Sequence, residues 1–232
     1  MTFREVQEPI NKLRGNLYTA MFDSSKDVGY EDIIGPLNQI REALVHKYHN
    51  LYLKELDLFI DKVKIFKTHF ATIDIRQDHS MHTKVMNAVL LKNGFIKADV
   101  NELSEAELID ILMRKNIVLN ANDYDEEIVK DTIKNISQLA DIQAKNGEQG
   151  CNRYIISNSE DVFSMLYVYA LFRWCGWADK EITFDIVPLF ETMNGMDNAE
   201  ATMQQLFSLK EYRKHLEQRA NKQTIMLGFS DG

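Results

Sequence analysis

The chain has 232 residues, of which 45% are hydrophobic, and its formal net charge is -8. A chain of this length and composition can bury a core, which argues against intrinsic disorder and favours one large domain or two small ones. Acidic residues are spread along the chain and no basic run is present, so neither nucleic acid nor an anionic membrane surface is expected as a partner. The two cysteines form no CxxC pair and no apolar stretch approaches the length of a membrane span, which predicts a soluble protein of the reducing cytoplasm.

The first third of the chain, residues 1–66, is predicted to be a helical scaffold segment. Its apolar residues recur at three- and four-residue steps, as on one face of an amphipathic helix, and the Gly35-Pro36 pair is interpreted as the start of that helix. The residues of this face are Ile33, Leu37, Ile40, Leu44, Tyr48, Leu51 and Tyr52.

Residues 67–232 are predicted to form an α/β region with parallel strands. Four short runs rich in β-branched and aromatic residues predict strands at 70–75, 153–157, 184–190 and 224–229. Helical patterns lie between them, among them a helix from 104 to about 115 that opens with a capping box of Ser104 and Glu107. Parallel pairing follows from this alternation, because parallel strands require crossover connections such as helices.

Three charged residues lie at predicted strand ends: Arg76, Glu191 and Asp231. A guanidinium at the carboxyl end of a strand can bind a phosphate or carboxylate in bidentate fashion. Two carboxylates that converge on one rim can bind Mg²⁺ or Mn²⁺. The spacing alone also allows plainer interpretations, an ordinary ion pair for the arginine and solvated loop acids for the other two.

Other motifs give less. His79 and His82, like His46 and His49, are spaced three apart, but neither pair has a third ligand, so a zinc site is not favoured. The sequence contains no GxGxxG, GxxxxGK[ST], GxSxG or HExxH motif, which leaves the common nucleotide-binding, hydrolase and metalloprotease signatures without support.

Four stretches taken in order resemble the phosphoenolpyruvate carboxylase family. They are IDIRQDHSMHT at 73–83, RYIISNSEDVFSMLYVY at 153–169, FDIVPLFETMNGMDNAEATMQQLFSLKEYRKHL at 184–216 and QTIMLGFSDG at 223–232. The most specific feature is VPLFET followed some forty residues later by GFSDG. The chain therefore resembles that family over about its last two thirds.

The resemblance implies part of a phosphoenolpyruvate/pyruvate-type (β/α) barrel, with about four parallel strands after a long helical N-terminal part. It implies an enzyme that forms oxaloacetate and phosphate from phosphoenolpyruvate and bicarbonate with Mg²⁺ or Mn²⁺, feeds the tricarboxylic acid cycle, and works in the cytoplasm as a homotetramer. Arg76 matches the arginine that faces the substrate, a catalytic and substrate-binding position, while Glu191 and Asp231 match the two metal-binding carboxylates.

The sequence also departs from that family. The TAHPTE segment, the GRGG loop, later arginines and the carboxyl-terminal region with the aspartate inhibition site are missing, and Phe229 and Gly232 replace a tyrosine and a serine of many relatives. The chain is therefore expected to be an internal fragment, truncated after Gly232 and inactive by itself. Two alternatives remain open here: another metal-dependent lyase with the same barrel, and a helical interaction module without catalytic ancestry.

Overall fold

A computed structural model describes residues 3–23, 25–177 and 181–228. The chain divides into two compact units. One contains the residues up to Thr72 together with Lys145–Gly150, and the other contains Ile73–Ala144 and the residues from Cys151 onward. No helix in the described residues is both long and apolar enough to cross a membrane.

The described residues of the first unit include the α-helices α1 (Arg4–Phe22), α2 (Tyr30–Lys47) and α3 (Leu53–Phe66). Their shared core is a small cluster of buried side chains: Leu13, Ile34, Leu37 and Ile60. The Gly35-Pro36 pair lies inside α2, so its interpretation as a helix start is wrong. The helix continues through the proline because the flanking apolar residues are buried, and such burial can offset the few kcal/mol that an interior proline costs.

The second unit is built on a sheet of strands β1 (Asp74–Asp78), β2 (Arg153–Ser157), β3 (Asp185–Phe190) and β4 (Met226–Leu227). The strand order is β1-β2-β3-β4 and each neighbouring pair is parallel. The predicted helix-rich α/β fold with four parallel strands is therefore confirmed in the described residues.

Helices of the second unit cover one face of this sheet. They are α4 (His79–Lys92), α5 (Glu105–Arg114), α6 (Glu127–Asn146), α7 (Val162–Phe172), α8 (Met193–Ser208) and α9 (Lys210–Gln218). The main core joins their buried side chains to one face of the strands, which includes Tyr154, Ile156 and Ile186. The residues that alternate with these, Ile155 and Val187, form a separate small cluster with Leu189 on the other face.

Local sequence patterns predicted some elements well and one strand badly. The Ser104–Glu107 capping box is confirmed, since the Glu107 carboxylate accepts the Ser104 backbone N–H at 2.9 Å. The strand predicted at 70–75 instead runs from Asp74 to Asp78. Phe70 has φ 62° and its N–H bonds to the Phe66 carbonyl, so it belongs to the turn that follows α3.

Candidate active site

Asn158 joins the carboxyl ends of three neighbouring strands. It follows β2 directly, and its backbone N–H donates a 2.9 Å hydrogen bond to Glu191 Oε1 just beyond β3. Its side-chain Nδ2 donates to Asp78 Oδ2 at the end of β1. The residue has φ 54°, the left-handed conformation that asparagine tolerates better than most side chains. Two carboxylates from different strands are thus connected through one asparagine.

Asp78 also caps the helix that follows it. Its Oδ1 accepts the Ser80 backbone N–H at 2.8 Å, at the start of α4. Burial by itself raises the pKa of Asp78, but the hydrogen bonds from Ser80 and Asn158 and the nearby His79 outweigh burial and lower that pKa. Asp78 therefore stays ionised, with both of its oxygens used by hydrogen bonds.

Glu191 lies against the end of β4. A Cβ on Gly228 would stand 2.5 Å from Glu191 Cβ and 3.0 Å from its Cα, which is too close for any side chain. The Gly228 N–H also bonds to the Phe190 carbonyl at 2.9 Å. Glu191 Oε2, unlike Oε1, has no hydrogen-bond partner in the described part of the chain. Glycine is thus required at position 228, where the chain passes close to Glu191.

Arg76 lies in the middle of β1, so its placement after the strand is wrong by two residues. It is exposed, and within the described residues its guanidinium forms no ion pair; the nearby Asp74 lies 3.7 Å from Arg153. Strand alternation places Arg76 and Asp78 on the face of the sheet opposite the helices. By the register of β1, β2 and β3, continued alternation would place Glu191 on that same face.

Asp231 lies outside the described residues, so its approach to Glu191 stays a prediction. Among the residues that the structure describes, no group of three or more His, Cys, Asp or Glu could hold a metal ion. The described donor at this edge that suits Mg²⁺ or Mn²⁺ is the open oxygen of Glu191, since these cations prefer carboxylate oxygen together with water and substrate oxygens. The residues fit such a cation if a further carboxylate joins Glu191.

His79 and His82 are packed against tyrosine side chains. His82 is fully buried and its Nε2 lies 3.0 Å from the Tyr154 hydroxyl, and burial lowers the pKa of His82 to about 3. His79 stacks on Tyr167 with 5.8 Å between ring centroids, and burial lowers its pKa despite nearby Asp161. His82 is therefore held neutral, and both rings are part of the packing around α4.

Asp78 and Asn158 were not among the predicted site residues. Asp78 directly follows Arg76-Gln77 in the DIRQD stretch, and Asn158 stands between a strand and the Asp161 helix cap, a position typical of a left-handed turn. These signals were local, whereas the contact between the two residues joins positions 80 apart in the sequence.

The fold and this edge define an α/β protein whose parallel strands present carboxylates at their carboxyl ends. The chain matches the family model of phosphoenolpyruvate carboxylase over residues 7–232, and it belongs to this family. It is 33% identical over 214 residues to the phosphoenolpyruvate carboxylase of Thermosynechococcus vestitus, covering 87% of this chain and 21% of that protein. It is 30% identical over 207 residues to the phosphoenolpyruvate carboxylase of Gloeobacter violaceus, covering 86% of this chain and 22% of that protein.

A third relative gives the same proportions. The phosphoenolpyruvate carboxylase of Nitrosomonas eutropha is 30% identical over 218 residues, which cover 90% of this chain and 23% of that protein. The chain thus spans about a fifth of the length of the curated relatives it matches. The resemblance noted from the four sequence stretches is confirmed at the level of the family.

Proposed function

We propose that this chain forms part of the active site of a phosphoenolpyruvate carboxylase, a carboxy-lyase that makes oxaloacetate and phosphate from phosphoenolpyruvate and bicarbonate. The observation that carries the proposal is the contact of Gly228, the first residue of the GFSDG stretch, with Glu191 of the VPLFET stretch at one edge of the sheet. Both stretches are the ones that most resemble the family, and membership of that family supports the assignment.

The proposed architecture is a segment of a phosphoenolpyruvate/pyruvate-type (β/α) barrel. Strands that pair in strictly sequential order, with their connecting helices on one face, form a singly wound sheet, which is the arrangement that closes into a barrel. The face opposite the helices, which carries Arg76 and Asp78, would then point to the barrel interior. In such barrels the active site lies at the carboxyl ends of the strands.

Glu191 and Asp231 are proposed to hold Mg²⁺ or Mn²⁺. Asp231 follows Gly228 by three residues, and three residues of extended chain span at most about 10 Å, so the aspartate is within reach of Glu191. When bound, the cation would supply a positive charge that stabilises the enolate oxygen of pyruvate. Glu191 Oε2 is free to bind it, because the described residues use only Oε1.

Arg76 is proposed to bind the phosphate or the carboxylate of phosphoenolpyruvate. Its exposed guanidinium has no ion-pair partner in the described residues, and it lies on the face that would be the barrel interior. A guanidinium presents paired N–H donors to such an oxyanion and offsets its charge as phosphate is released. The cytoplasmic location, the homotetrameric state and the supply of the tricarboxylic acid cycle rest on the resemblance to the family.

The cation site can be tested on the chain itself. We expect Mn²⁺ binding, followed by electron paramagnetic resonance, to weaken at least about tenfold in Glu191→Gln and in Asp231→Asn, because a site with few protein carboxylates depends on each of them. Asp161→Asn is the matched control: Asp161 also lies beyond a strand end, but it caps α7, and asparagine caps a helix equally well. Equal Mn²⁺ affinity in wild type and both site variants would contradict the proposal.

The chain alone is proposed to be inactive. The TAHPTE and GRGG segments of the family are not in this sequence, and loss of one essential group commonly costs orders of magnitude in rate. Oxaloacetate formation, measured with a malate dehydrogenase coupling assay, should stay at the level of a control without the protein. Turnover above that control would show that this part of the proposal is wrong.

A further inference from the structure

We infer that Asn158 is a positioning residue that orients Glu191 for the bound cation, an inference that rests on the proposed function. Glu191 directly follows the end of β3. The 2.9 Å hydrogen bond from the Asn158 backbone N–H holds Oε1 in one place. The other oxygen is left open in the described residues, so this contact decides where that oxygen points.

The asparagine is itself held from the opposite side. Its side-chain amide donates to Asp78 Oδ2, while Asp78 Oδ1 accepts the Ser80 N–H at 2.8 Å and so is tied to the first turn of α4. The Ser159 N–H, next in the chain, bonds to the Leu189 carbonyl at 3.1 Å. Asn158 is therefore fixed to the elements on either side of it, and it transmits their position to Glu191.

Only a few side chains could do this. The backbone N–H of residue 158 reaches Glu191 in a left-handed conformation with φ 54°, which glycine and asparagine adopt readily and β-branched residues do not. Glycine would keep the backbone contact and lose the amide to Asp78. Valine would disfavour the conformation itself and so withdraw the N–H from Glu191.

A matched position separates positioning from a purely structural role. Asn221 has φ 55°, nearly the same conformation as Asn158, and lies exposed in the turn after α9, where its N–H bonds to the Leu216 carbonyl. Substitutions at this position carry the same backbone strain but touch no residue of the candidate site. Asn221→Val therefore serves as the control for Asn158→Val.

The test measures Mn²⁺ affinity of the purified chain by electron paramagnetic resonance, with urea unfolding of each variant alongside. Partners that orient a metal ligand typically contribute about 10- to 100-fold in affinity, so we expect Asn158→Val to weaken Mn²⁺ binding about tenfold. Asn158→Gly should stay within about threefold of wild type, because the backbone donor that orients the ligand is retained. Asn221→Val should lose similar stability and keep the wild-type affinity.

A second measurement does not depend on the cation. Hydrogen exchange of the Asn158 backbone amide, followed by NMR, should accelerate in Glu191→Ala and stay slow in Glu191→Gln, whose side-chain oxygen can still accept. Unchanged exchange in Glu191→Ala would overturn the inference. So would equal Mn²⁺ affinities of Asn158→Val and wild type, a result that leaves the proposed cation site intact. If the wild-type chain bound no Mn²⁺, the proposed site and this positioning role would both be wrong.

Discussion

The carboxylates at the two edges of the sheet have different partners. At the amino edge, Asp185 accepts a 2.7 Å hydrogen bond from Arg219 Nε, and Asp74 lies 3.7 Å from Arg153. At the carboxyl edge, Asp78 and Glu191 are instead held by uncharged N–H donors, and in the described part of the chain no lysine or arginine pairs with them. In the described part of the chain, the carboxylates are thus paired with arginines at one edge and lack such partners at the other.

This difference separates a structural role from a functional one. Removing one partner of a carboxylate–arginine pair lowers stability, because the other charge is left partly buried with one partner fewer. A carboxylate held only by neutral donors keeps its charge available to a cation. We therefore assign a structural role to the carboxylates of the amino edge and ligand binding to those of the carboxyl edge.

The largest effect is expected from acid, and it should arise from two buried histidines. Burial lowers the pKa of His82 to about 3 and that of His215 to about 4, against about 6.5 in an unfolded chain. As pH falls below about 6.5, these histidines bind protons in the unfolded state but stay neutral in the folded state. The free energy of unfolding should then fall by up to about 1.4 kcal/mol per pH unit for each histidine.

Urea unfolding at pH 7 and at pH 5 measures this loss. His82→Gln and His215→Gln should each remove the contribution of one histidine to the change in the free energy of unfolding with pH. Both variants should also be less stable than wild type at pH 7, because a packed ring is replaced. If both variants kept the full wild-type dependence on pH, His82 and His215 would not be its source.

The second effect compares matched amides at the two edges. Asp185→Asn should lower the free energy of unfolding by about 1–2 kcal/mol, because Arg219, with a side chain only 13% exposed, loses a charged partner. Glu191→Gln should change it by less than about 0.5 kcal/mol, since glutamine still accepts the Asn158 N–H. The urea unfolding midpoints of the two variants at neutral pH measure this difference. An equal loss of stability in both variants would contradict the distinction between the two edges.

The smallest effect concerns the contact that brings β4 to Glu191. Gly228→Ala places a Cβ 2.5 Å from Glu191 Cβ, so the short strand must shift, at a cost of about 1 kcal/mol. We also expect weaker Mn²⁺ binding, because residue 228, which precedes the proposed ligand Asp231 in the sequence, must shift relative to Glu191. Gly35→Ala is the control, since a Cβ there meets no atom within 4 Å. If Gly35→Ala lost as much stability as Gly228→Ala, the contact between Gly228 and Glu191 would not explain the loss.

Local patterns in the sequence determined a good part of this protein. The strand Arg153–Ser157 was predicted with its observed bounds, and the start of α5 was predicted from Ser104 and Glu107. Such features depend on neighbouring residues only, through hydrogen bonds of a helix terminus or the composition of one strand. Glu191 was likewise predicted correctly as the residue that follows a strand.

Tertiary structure decided the rest. The aromatic Phe70 suggested a strand, but strand pairing with β2 begins only at Asp74, because a strand is defined by its partner and not by composition alone. The bridge through Asn158 joins residues 80 and 33 positions away, and the requirement for glycine at position 228 comes from the approach of Glu191. These contacts exist because the parallel register brings three strand ends to one edge, and they join residues that are far apart in the sequence.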